Sequence, residues 1–321
     1  MIRYRERKVL KTDIYKSYSK DNMQRGFWSQ YAISAYHQGM SWLMPKIVSD
    51  EKAVIRYYQK HTDGRKPDLD NPKLFSEKLQ WYKLNAKLPL MEQCANKYTV
   101  REYIKSQGYE NLLNDLYGVY TDVAELDFDK LPDRFVLKAT HGSGWNIICK
   151  DKAKLNKWQT KLMCNSWLHQ SMAWSGREWV YQSMPRHIIA ERYLEDETGE
   201  LRDYKFYCFN GKPCFMQLEV GRGTSHNTRN FYDMDWKLMP FGKELPHNPN
   251  VHVPCPVMFE EMKRIAADLC KPFQYVRVDL YQVANKVYFG ELTFFPAGGA
   301  PDFVPVEYDA IVGEMWKLEK Q

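Results

Sequence analysis

The sequence predicts a mixed α+β fold, with helices in the first third of the chain and antiparallel hairpins in the last third. Residues 26–112 carry apolar side chains at helical spacing, interrupted by prolines and polar turns. Segment 276–292 consists of two alternating apolar–polar runs joined by a short turn, and alternation with a period of two is typical of half-buried strands. Segment 203–218 has Asn210-Gly211, a strong hairpin-turn signal, between two strand-like runs. We therefore expect two β-hairpins.

The composition is that of a globular protein that can bury a sizeable core. The 321 residues are 44% hydrophobic, and no apolar run of about 18 residues predicts a membrane span. The N-terminus lacks the apolar core of a signal peptide. Seven scattered cysteines form no CxxC pair, which favours a reduced, cytoplasmic protein without a zinc site.

Positive charge is concentrated at the N-terminus. Residues 1–25 hold eight lysines or arginines and three acids, a net +5, whereas the whole chain carries +6. An aromatic-rich segment, 27–33, follows this basic arm. The arm either stays solvated or contacts the inner face of an anionic membrane, and both interpretations remain open. No nucleic-acid-binding motif accompanies the charge, so nucleic acid is not an expected partner.

The hairpin at 276–292 carries the strongest chemical signal. If its turn is centred on Asn285, Asp279 lies directly opposite Glu291, while apolar neighbours face the core. Like charges opposite one another destabilise a sheet. A divalent cation explains the pair because hard cations take carboxylate and phosphate oxygens as ligands. Arg277 shares this face, so the sequence predicts a Mg²⁺–phosphate site. The alternative is a pair of solvated acids.

Two lysines lie on predicted strands. Lys138 ends an apolar strand and precedes the glycine-containing turn 139–145, whose backbone amides are suited to phosphate oxygens. The order is not that of a Walker A loop, and a plain glycine hairpin is the alternative. Lys205 shares a strand face with Asp203 in the first hairpin.

A polar loop, 221–229, follows the first hairpin. It offers Arg222, His226 and Arg229 as candidates for orienting an anionic substrate, and a solvated loop is the alternative. The nearby Asp233-Met234-Asp235 matches the DxD of metal-dependent glycosyltransferases, but a polar turn explains so short a match.

Taken in chain order, these features resemble the ATP-grasp fold, in which two α+β subdomains hold ATP between antiparallel sheets. Six blocks narrow the resemblance to the TupA-like ATP-grasp family of teichuronopeptide and surface-polysaccharide biosynthesis. They are NPKLFSEKLQW, NKYTVREYI, LPDRFVLKATHGSGWNII, IIAERYL, DYKFYCFNGKP and GELTFFPAGG. The resemblance covers roughly residues 50–315. It implies a basic arm (1–25), a helical region (26–112) and ATP-grasp subdomains at 113–190 and 191–321.

The resemblance implies that ATP is the cofactor and assigns its binding residues position by position. The nucleotide-binding positions are Lys138, Gly142, Ser143, Gly144, Glu191, Arg192, Tyr193, Leu194, Asp203 and Lys205. The two lysines would hold the α- and β-phosphates, and the glycine turn would close over the triphosphate. The hinge, 191–194, would bind the adenine edge through its backbone, and an acid within 195–200 would take the ribose hydroxyls.

Metal binding and catalysis are also implied by the resemblance. Asp279 and Glu291 would bind Mg²⁺, while Arg277 and Lys205 would act catalytically, the arginine on the transferring phosphoryl group. Members of this fold commonly have Glu-x-Asn as the second metal motif, whereas Thr293 stands here in place of the asparagine. One or two metal ions are therefore both compatible with the sequence.

The implied activity is that of a carboxylate–amine ligase. ATP would convert a carboxylate into an acyl phosphate, which an amine then attacks, so catalysis is mainly positioning and charge neutralisation. The family implies that an amine or amino acid is joined to a uronate-bearing sugar or polysaccharide. A glycosyltransferase and a kinase-like or non-catalytic ATP-binding module remain alternatives.

Overall fold

The computed structural model describes residues 28, 31–32, 35–36, 39–40, 43, 46–196, 201–221, 227–251, 253–300 and 303–319. Contacts between residues divide the chain into two compact units, each built from separate segments. The first unit comprises Met1–Met44, Asp115–Trp174 and Tyr181–Tyr193, and the second comprises Pro45–Asn114, Ser175–Val180 and Leu194–Gln321.

The first unit contains a four-stranded antiparallel sheet in the order β1-β4-β2-β3. Its strands are β1 (Leu116–Tyr120), β2 (Phe135–Ala139), β3 (Asn146–Cys149) and β4 (Ile188–Arg192). Alternate residues of β2 are buried, and they form a core with buried residues of the helix Lys157–Leu168. The apolar strand predicted before the glycine-containing turn is therefore confirmed, and this core covers one face of the sheet.

The second unit contains a six-stranded antiparallel sheet in the order β11-β10-β5-β6-β7-β8. Its strands are β5 (Asp203–Phe209), β6 (Lys212–Val220), β7 (Thr228–Asp233), β8 (Leu238–Met239), β10 (Tyr275–Val283) and β11 (Lys286–Thr293). A two-stranded sheet pairs β9 (Gly242–Lys243) with β12 (Phe303–Val304). Both predicted hairpins, β5–β6 and β10–β11, are present.

Helices cover the larger sheet. In this unit they are Asp50–His61, Phe75–Asn85, Pro89–Ala95, Val100–Ser106, Phe259–Cys270 and Tyr308–Glu314. Phe259–Cys270 is amphipathic, and its apolar residues Met262, Ile265 and Leu269 are fully buried where it packs on β5, β6 and β10. Phe75 lies in an aromatic cluster with Tyr275 (ring centroids 5.4 Å apart) and Trp316 (6.1 Å).

Shorter helical elements complete the described chain. They are the four-residue helix Ala173–Gly176 and 3₁₀ turns at Glu110–Leu112, Val123–Glu125, Phe128–Lys130, Lys152–Lys154, Trp179–Tyr181 and Pro296–Gly299. Contacts group the helices within 50–106 with the six-stranded sheet, whereas the sequence-based ranges treat 26–112 as a region of its own. Those domain ranges stay a prediction. Within the described residues, no helix is both long enough and apolar enough to cross a bilayer.

Candidate active site

Asp279 and Glu291 face each other across the β10–β11 hairpin, as the sequence predicts. The turn, however, is the two-residue Ala284-Asn285, and a turn of that length would place Asp279 opposite Gly290. A bulge shifts the register between Asp279 and Leu280 and brings Glu291 into the opposing position. The predicted pair is confirmed, but a bulge produces it rather than a turn centred on one asparagine.

Position 290 requires glycine because the backbone of β10 lies so close. A Cβ on Gly290 would stand 2.8 Å from the carbonyl oxygen of Asp279 and 3.0 Å from the ring of Tyr281. Any larger residue therefore has to push the two strands apart at the bulge. The glycine thus fixes the spacing on which the carboxylate pair depends.

Basic side chains neutralise both acids. Arg277 donates two hydrogen bonds to Asp279, from Nε to Oδ1 at 2.7 Å and from Nη2 to Oδ2 at 2.6 Å. Lys205, on β5 directly beside Asp279, donates to Asp279 Oδ2 at 2.7 Å and also to Asp203. Arg277 also lies 3.6 Å from Glu291 Oε1. The Asp279 side chain is 1% exposed, so these partners replace water as its hydrogen-bond donors.

Lys97 also belongs to this cluster, although it is not among the site residues predicted from the sequence. Its Nζ lies 3.3 Å from Glu291 Oε2. The preceding residue, Asn96, is buried and accepts hydrogen bonds from two following backbone amides, which fixes the entry into helix Val100–Ser106. No local pattern in the sequence indicates the long-range pairing of Lys97 with Glu291.

The cluster shifts the protonation equilibria of its members. Burial lowers the pKa of Lys205, but Asp203 and Asp279 outweigh burial and raise it above its ordinary value. Burial acts to raise the pKa of Glu291, but Lys97 and the other cations hold it well below its usual range. Lys205 is therefore an ammonium and Glu291 a carboxylate at neutral pH.

The acids of this cluster fit a magnesium ion that takes its other ligands from phosphate oxygens and water. No three potential metal ligands converge within the described residues, but Mg²⁺ typically takes one or two carboxylates together with water and phosphate oxygens. Asp279 and Glu291 supply two, and the Thr293 hydroxyl lies 3.3 Å from Glu291 Oε1. Beside them, Asp203 Oδ1 is buried and has no hydrogen-bond partner among the described residues.

Two buried side chains of helix Phe75–Asn85 hydrogen-bond to the turn that follows β11. Lys83 Nζ donates to the carbonyl oxygen of Gly298 at 2.7 Å, and Gln80 Nε2 donates to that of Gly299 at 2.9 Å. Burial lowers the pKa of Lys83 to about 8. Two sequence blocks, NPKLFSEKLQW and GELTFFPAGG, therefore meet at this turn.

In the first unit, Lys138 and Glu191 form a direct ion pair. Lys138 Nζ donates to Glu191 Oε2 at 2.7 Å, and the two side chains are 26% and 9% exposed. Glu191 on β4 pairs with Val136 of β2, so Lys138 is its diagonal neighbour on the same face. The family resemblance assigns the two residues to different parts of the nucleotide, and the structure joins their side chains.

The turn between β2 and β3 contains the predicted glycines. A Cβ on Gly142 would lie 2.4 Å from the indole of Trp145, and Gly144 has a φ of +73°, so both positions favour glycine. Ser143 is exposed, and its amide donates to Met172 Sδ at 2.9 Å. The structure thus brings Gly142, Ser143 and Gly144 into one turn after the Lys138 strand.

The residues predicted to form the hinge, 191–194, are the last two residues of β4 and the two that follow it. The Arg192 amide donates to the carbonyl oxygen of Asp115 at 3.0 Å, and its guanidinium lies 3.3 Å from the Asp115 carboxylate. Tyr193 is the last residue of the first unit, and Leu194 begins the last segment of the second unit. Of the acidic loop that follows, 197–200 lies outside the described residues.

The predicted substrate-binding loop is described only at its end. Arg222 and His226 lie outside the described residues. Arg229 lies on β7, is 9% exposed, and donates to Glu219 and, at 2.7 Å, to Glu244. Its guanidinium is thus committed to two carboxylates within the unit, which differs from the expected loop arginine facing a substrate. The reason is burial, since a buried guanidinium needs charged partners.

The DxD match is part of a turn after β7. Asp233 Oδ1 accepts hydrogen bonds from the backbone amides of Asp235 (2.9 Å) and Lys237 (2.8 Å). Asp235 itself is largely exposed and lies 3.5 Å from the Lys237 ammonium. This geometry supports the interpretation as a polar turn.

The chain has two antiparallel sheets. One carries a lysine followed by a glycine turn, and the other carries the acid–base cluster. This combination defines the class of protein, which is an α+β protein of the ATP-grasp type. The TupA-like ATPgrasp family model matches residues 77–317. The chain belongs to the TupA-like ATP-grasp family, and the fold predicted from the sequence is confirmed.

Solved ATP-grasp structures are distant from this chain. D-alanine–D-alanine ligase from Bacillus anthracis, complexed with ATP, is 16% identical, with 63% of this chain and 55% of that chain covered and a TM-score of 0.39. D-alanyl-alanine synthetase A from Vibrio cholerae is 13% identical, with 65% and 57% covered and a TM-score of 0.40. The ATP-grasp ligase PsnB, complexed with minimal precursor, Mg and ADP, is 10% identical, with 68% and 57% covered and a TM-score of 0.38.

The chain thus spans between 55% and 57% of the length of these three structures. Among the curated proteins compared, none matches.

Proposed function

We propose that this protein is an ATP-dependent carboxylate–amine ligase that works through an acyl phosphate. The observation that carries the proposal is the buried cluster on β10, β11 and β5, in which Arg277, Lys205 and Lys97 surround Asp279 and Glu291. Such a cluster offers cations to phosphate oxygens and carboxylates to a magnesium ion. Membership in an ATP-grasp family supports ATP as the nucleotide.

Lys138 and Lys205 are the proposed contacts of the α- and β-phosphates. Each ammonium is already held by acidic side chains, Glu191 for Lys138 and the two aspartates for Lys205. Preorganised charges cost little reorganisation when a ligand arrives. The turn 142–144 is proposed to close on the triphosphate through its backbone, and the hinge 191–194 to bind the adenine edge.

Magnesium is the ion proposed for Asp279 and Glu291, and when bound it neutralises charge on the phosphates. In the structure both acids are paired with cations of this chain. Arg277 and Lys97 lie beside these two acids, where they would contact phosphoryl oxygens. Arg277 is accordingly the proposed stabiliser of the transferring group.

The proposed reaction has two steps. A carboxylate oxygen of the acceptor attacks the γ-phosphorus of ATP, which forms an acyl phosphate and releases ADP. An amine then attacks the acyl carbon, phosphate leaves, and the amine loses a proton as the amide forms. We propose a uronate-bearing sugar or polysaccharide as the acceptor and an amino acid or other amine as the nucleophile. Arg222 and His226 remain the proposed carboxylate contacts.

Incubation of purified protein with Mg²⁺, ATP, uronate-bearing acceptors and amino acids tests this function. We expect ADP and phosphate in equal amounts, and a product whose mass equals acceptor plus amine minus one water. A hexose-sized increase that requires a nucleotide sugar would instead indicate a glycosyltransferase. A phosphorylated final product would indicate a kinase, and ATP binding without ADP release under any of these conditions would indicate a non-catalytic module.

A further inference from the structure

We propose that the first unit carries a docking face for an anionic membrane surface, formed by Trp28, Trp158 and the lysine-rich segment 150–161. This inference goes beyond the proposed function because it concerns where the protein is held rather than which reaction it catalyses. It stands on residues that have no part in the proposed nucleotide or metal site.

The first observation is an exposed pair of tryptophans. Trp28 is 64% exposed and Trp158 is 61% exposed, and their rings lie 6.2 Å apart. They are the two tryptophans with mostly exposed side chains within the described part of the chain. Large aromatic residues are usually well buried. Tryptophan is enriched at membrane–water interfaces, where its ring meets acyl chains and its N–H meets headgroups.

The second observation is the charge around this pair. Segment 150–161 holds five lysines and one aspartate, a net +4. Trp158 is the second residue of helix Lys157–Leu168, so lysines flank it on both sides. Lys154 and Lys157 are 64% and 51% exposed.

These lysines already have acidic neighbours, which do not remove them from the surface. Lys154 pairs with Asp151 at 2.6 Å, and Lys157 pairs with Asp129 at 2.8 Å. Exposed ion pairs of this kind are weak, so both ammonium groups remain able to meet lipid phosphates. Lys152 is different, because it is turned toward the carbonyl oxygen of Leu131.

The third observation is that residues 1–25, with a net charge of +5, directly precede the segment that contains Trp28. Stable membrane association usually needs two signals, such as an inserted apolar group and a polybasic stretch. A soluble polyanion would be attracted by the charge alone. A bilayer surface uses both the charge and the tryptophan pair, so an anionic membrane fits the combination best.

Vesicle sedimentation tests the proposal. One set of vesicles consists of phosphatidylcholine alone, and in the other about a third of the lipid is the anionic phosphatidylglycerol. We expect the full chain to bind the anionic vesicles and not the neutral ones. Lys154→Gln, Lys157→Gln and Lys161→Gln combined should lower the partition coefficient at least tenfold, on the order of the effect of a few interfacial lysines. Trp28→Ala with Trp158→Ala should lower it about fivefold or more.

The matched control is Lys237→Gln with Lys271→Gln, which removes two lysines of the second unit that are 76% and 69% exposed. It should bind vesicles as the wild type does. ADP release in solution should be unchanged in all variants, and melting curves should show that each is folded.

Lipid contact has a direct readout. Vesicles that contain brominated lipids should quench tryptophan fluorescence of the wild type more than that of Trp28→Phe with Trp158→Phe. Equal binding to neutral and anionic vesicles, or unchanged binding of the double alanine variant, would overturn the proposal. So would binding of single-stranded RNA or soluble polyuronate that depends on both tryptophans while anionic vesicles do not bind.

Discussion

At the scale of single residues, the Asp279 carboxylate is the shared ion-pair partner of two buried cations. Arg277 and Lys205 both donate to its carboxylate, and neither has much access to water. Considered by itself, an acid opposite Glu291 repels it, so its removal is expected to leave the hairpin intact. The structure changes that expectation, because removing one member of a buried charge cluster leaves its partners uncompensated.

Asp279→Asn is therefore expected to destabilise the protein by about 3 kcal/mol, measured by urea unfolding without nucleotide. Glu291→Gln is the comparison, since the Glu291 side chain is 32% exposed. We expect it to cost no more than about 1 kcal/mol. Equal stability of Asp279→Asn and wild type would show that the cluster does not depend on this charge.

Glu291→Gln isolates the proposed metal role from folding. It should fold normally but lose ADP release by about a hundredfold or more, the size of effect typical of losing one preorganised electrostatic group. The matched control is Glu102→Gln, which removes an exposed carboxylate that pairs with Lys105 at 3.7 Å. Near-normal turnover by Glu291→Gln in Mg²⁺ would make the carboxylate pair structural.

The Glu244–Arg229 pair predicts a component of acid sensitivity. Burial acts to raise the pKa of Glu244, but Arg229 and Lys243 lower it from 4.5 to about 2. Because the folded pKa lies below the unfolded one, this stabilisation is fully present above about pH 4.5 and is lost as the pH falls toward 2.

Glu244→Gln should therefore flatten the fall in unfolding free energy between pH 4.5 and 2. Since 31% of the Glu244 side chain is exposed, we expect a difference of about 1–2 kcal/mol, less than the full shift implies. Parallel pH profiles for the variant and the wild type in this range would contradict the assignment.

At the scale of elements, the β10–β11 hairpin shows how a bulge sets the chemistry of a sheet. The two-residue turn and the bulge together determine that Asp279 meets Glu291. Bulges commonly re-aim side chains near functional sites. The hairpin therefore combines an apolar core face with a charged face whose spacing depends on one glycine.

Gly290→Ala should destabilise the protein by about 1–3 kcal/mol, because its Cβ would stand 2.8 Å from a backbone oxygen. It should also weaken stabilisation by Mg²⁺-ATP, since the strands must separate where the acids face. Gly39→Ala is the control, as no atom of the described residues lies within 4 Å of its added Cβ. Thermal melting with and without nucleotide measures both effects, and equal behaviour of the two variants would refute the role of the bulge.

At the scale of the whole molecule, each of the two units contains a strand lysine held by acids. Lys138 pairs with Glu191 in the first, and Lys205 pairs with Asp203 and Asp279 in the second. If ATP binds the folded protein only, it stabilises the fold by mass action, by about 2.7 kcal/mol at a hundred times Kd. The melting temperature should then rise by several degrees.

Lys138→Met should weaken ATP binding by about 1.5–3 kcal/mol, the range for hydrogen bonds to charged groups. The rise in melting temperature at fixed Mg²⁺-ATP should shrink accordingly. Lys130→Met is the control, because the Lys130 side chain is 83% exposed and pairs only loosely with Asp127 at 3.7 Å. Unchanged nucleotide affinity of Lys138→Met, measured by calorimetry, would contradict the assignment.

Local patterns in the sequence determined much of this protein. Period-two alternation located β10 and β11, because a half-buried strand alternates apolar and polar side chains. Asn210-Gly211 marked the β5–β6 turn, since both residues adopt positive φ there. Six ordered blocks indicated the family, which the match over 77–317 bears out.

Only the tertiary structure decided which charges meet. Lys97 reaches Glu291, Glu191 reaches Lys138, and Arg229 lies between two acids. Lys97 with Glu291 and Lys138 with Glu191 join segments far apart in the chain, and no local periodicity encodes these pairs. The sequence also does not reveal the strand register at Gly290, because one extra residue in a bulge changes which residues face each other across the sheet. Periodicity fixes which face a side chain takes, whereas long-range packing fixes its neighbour and hence its charge state.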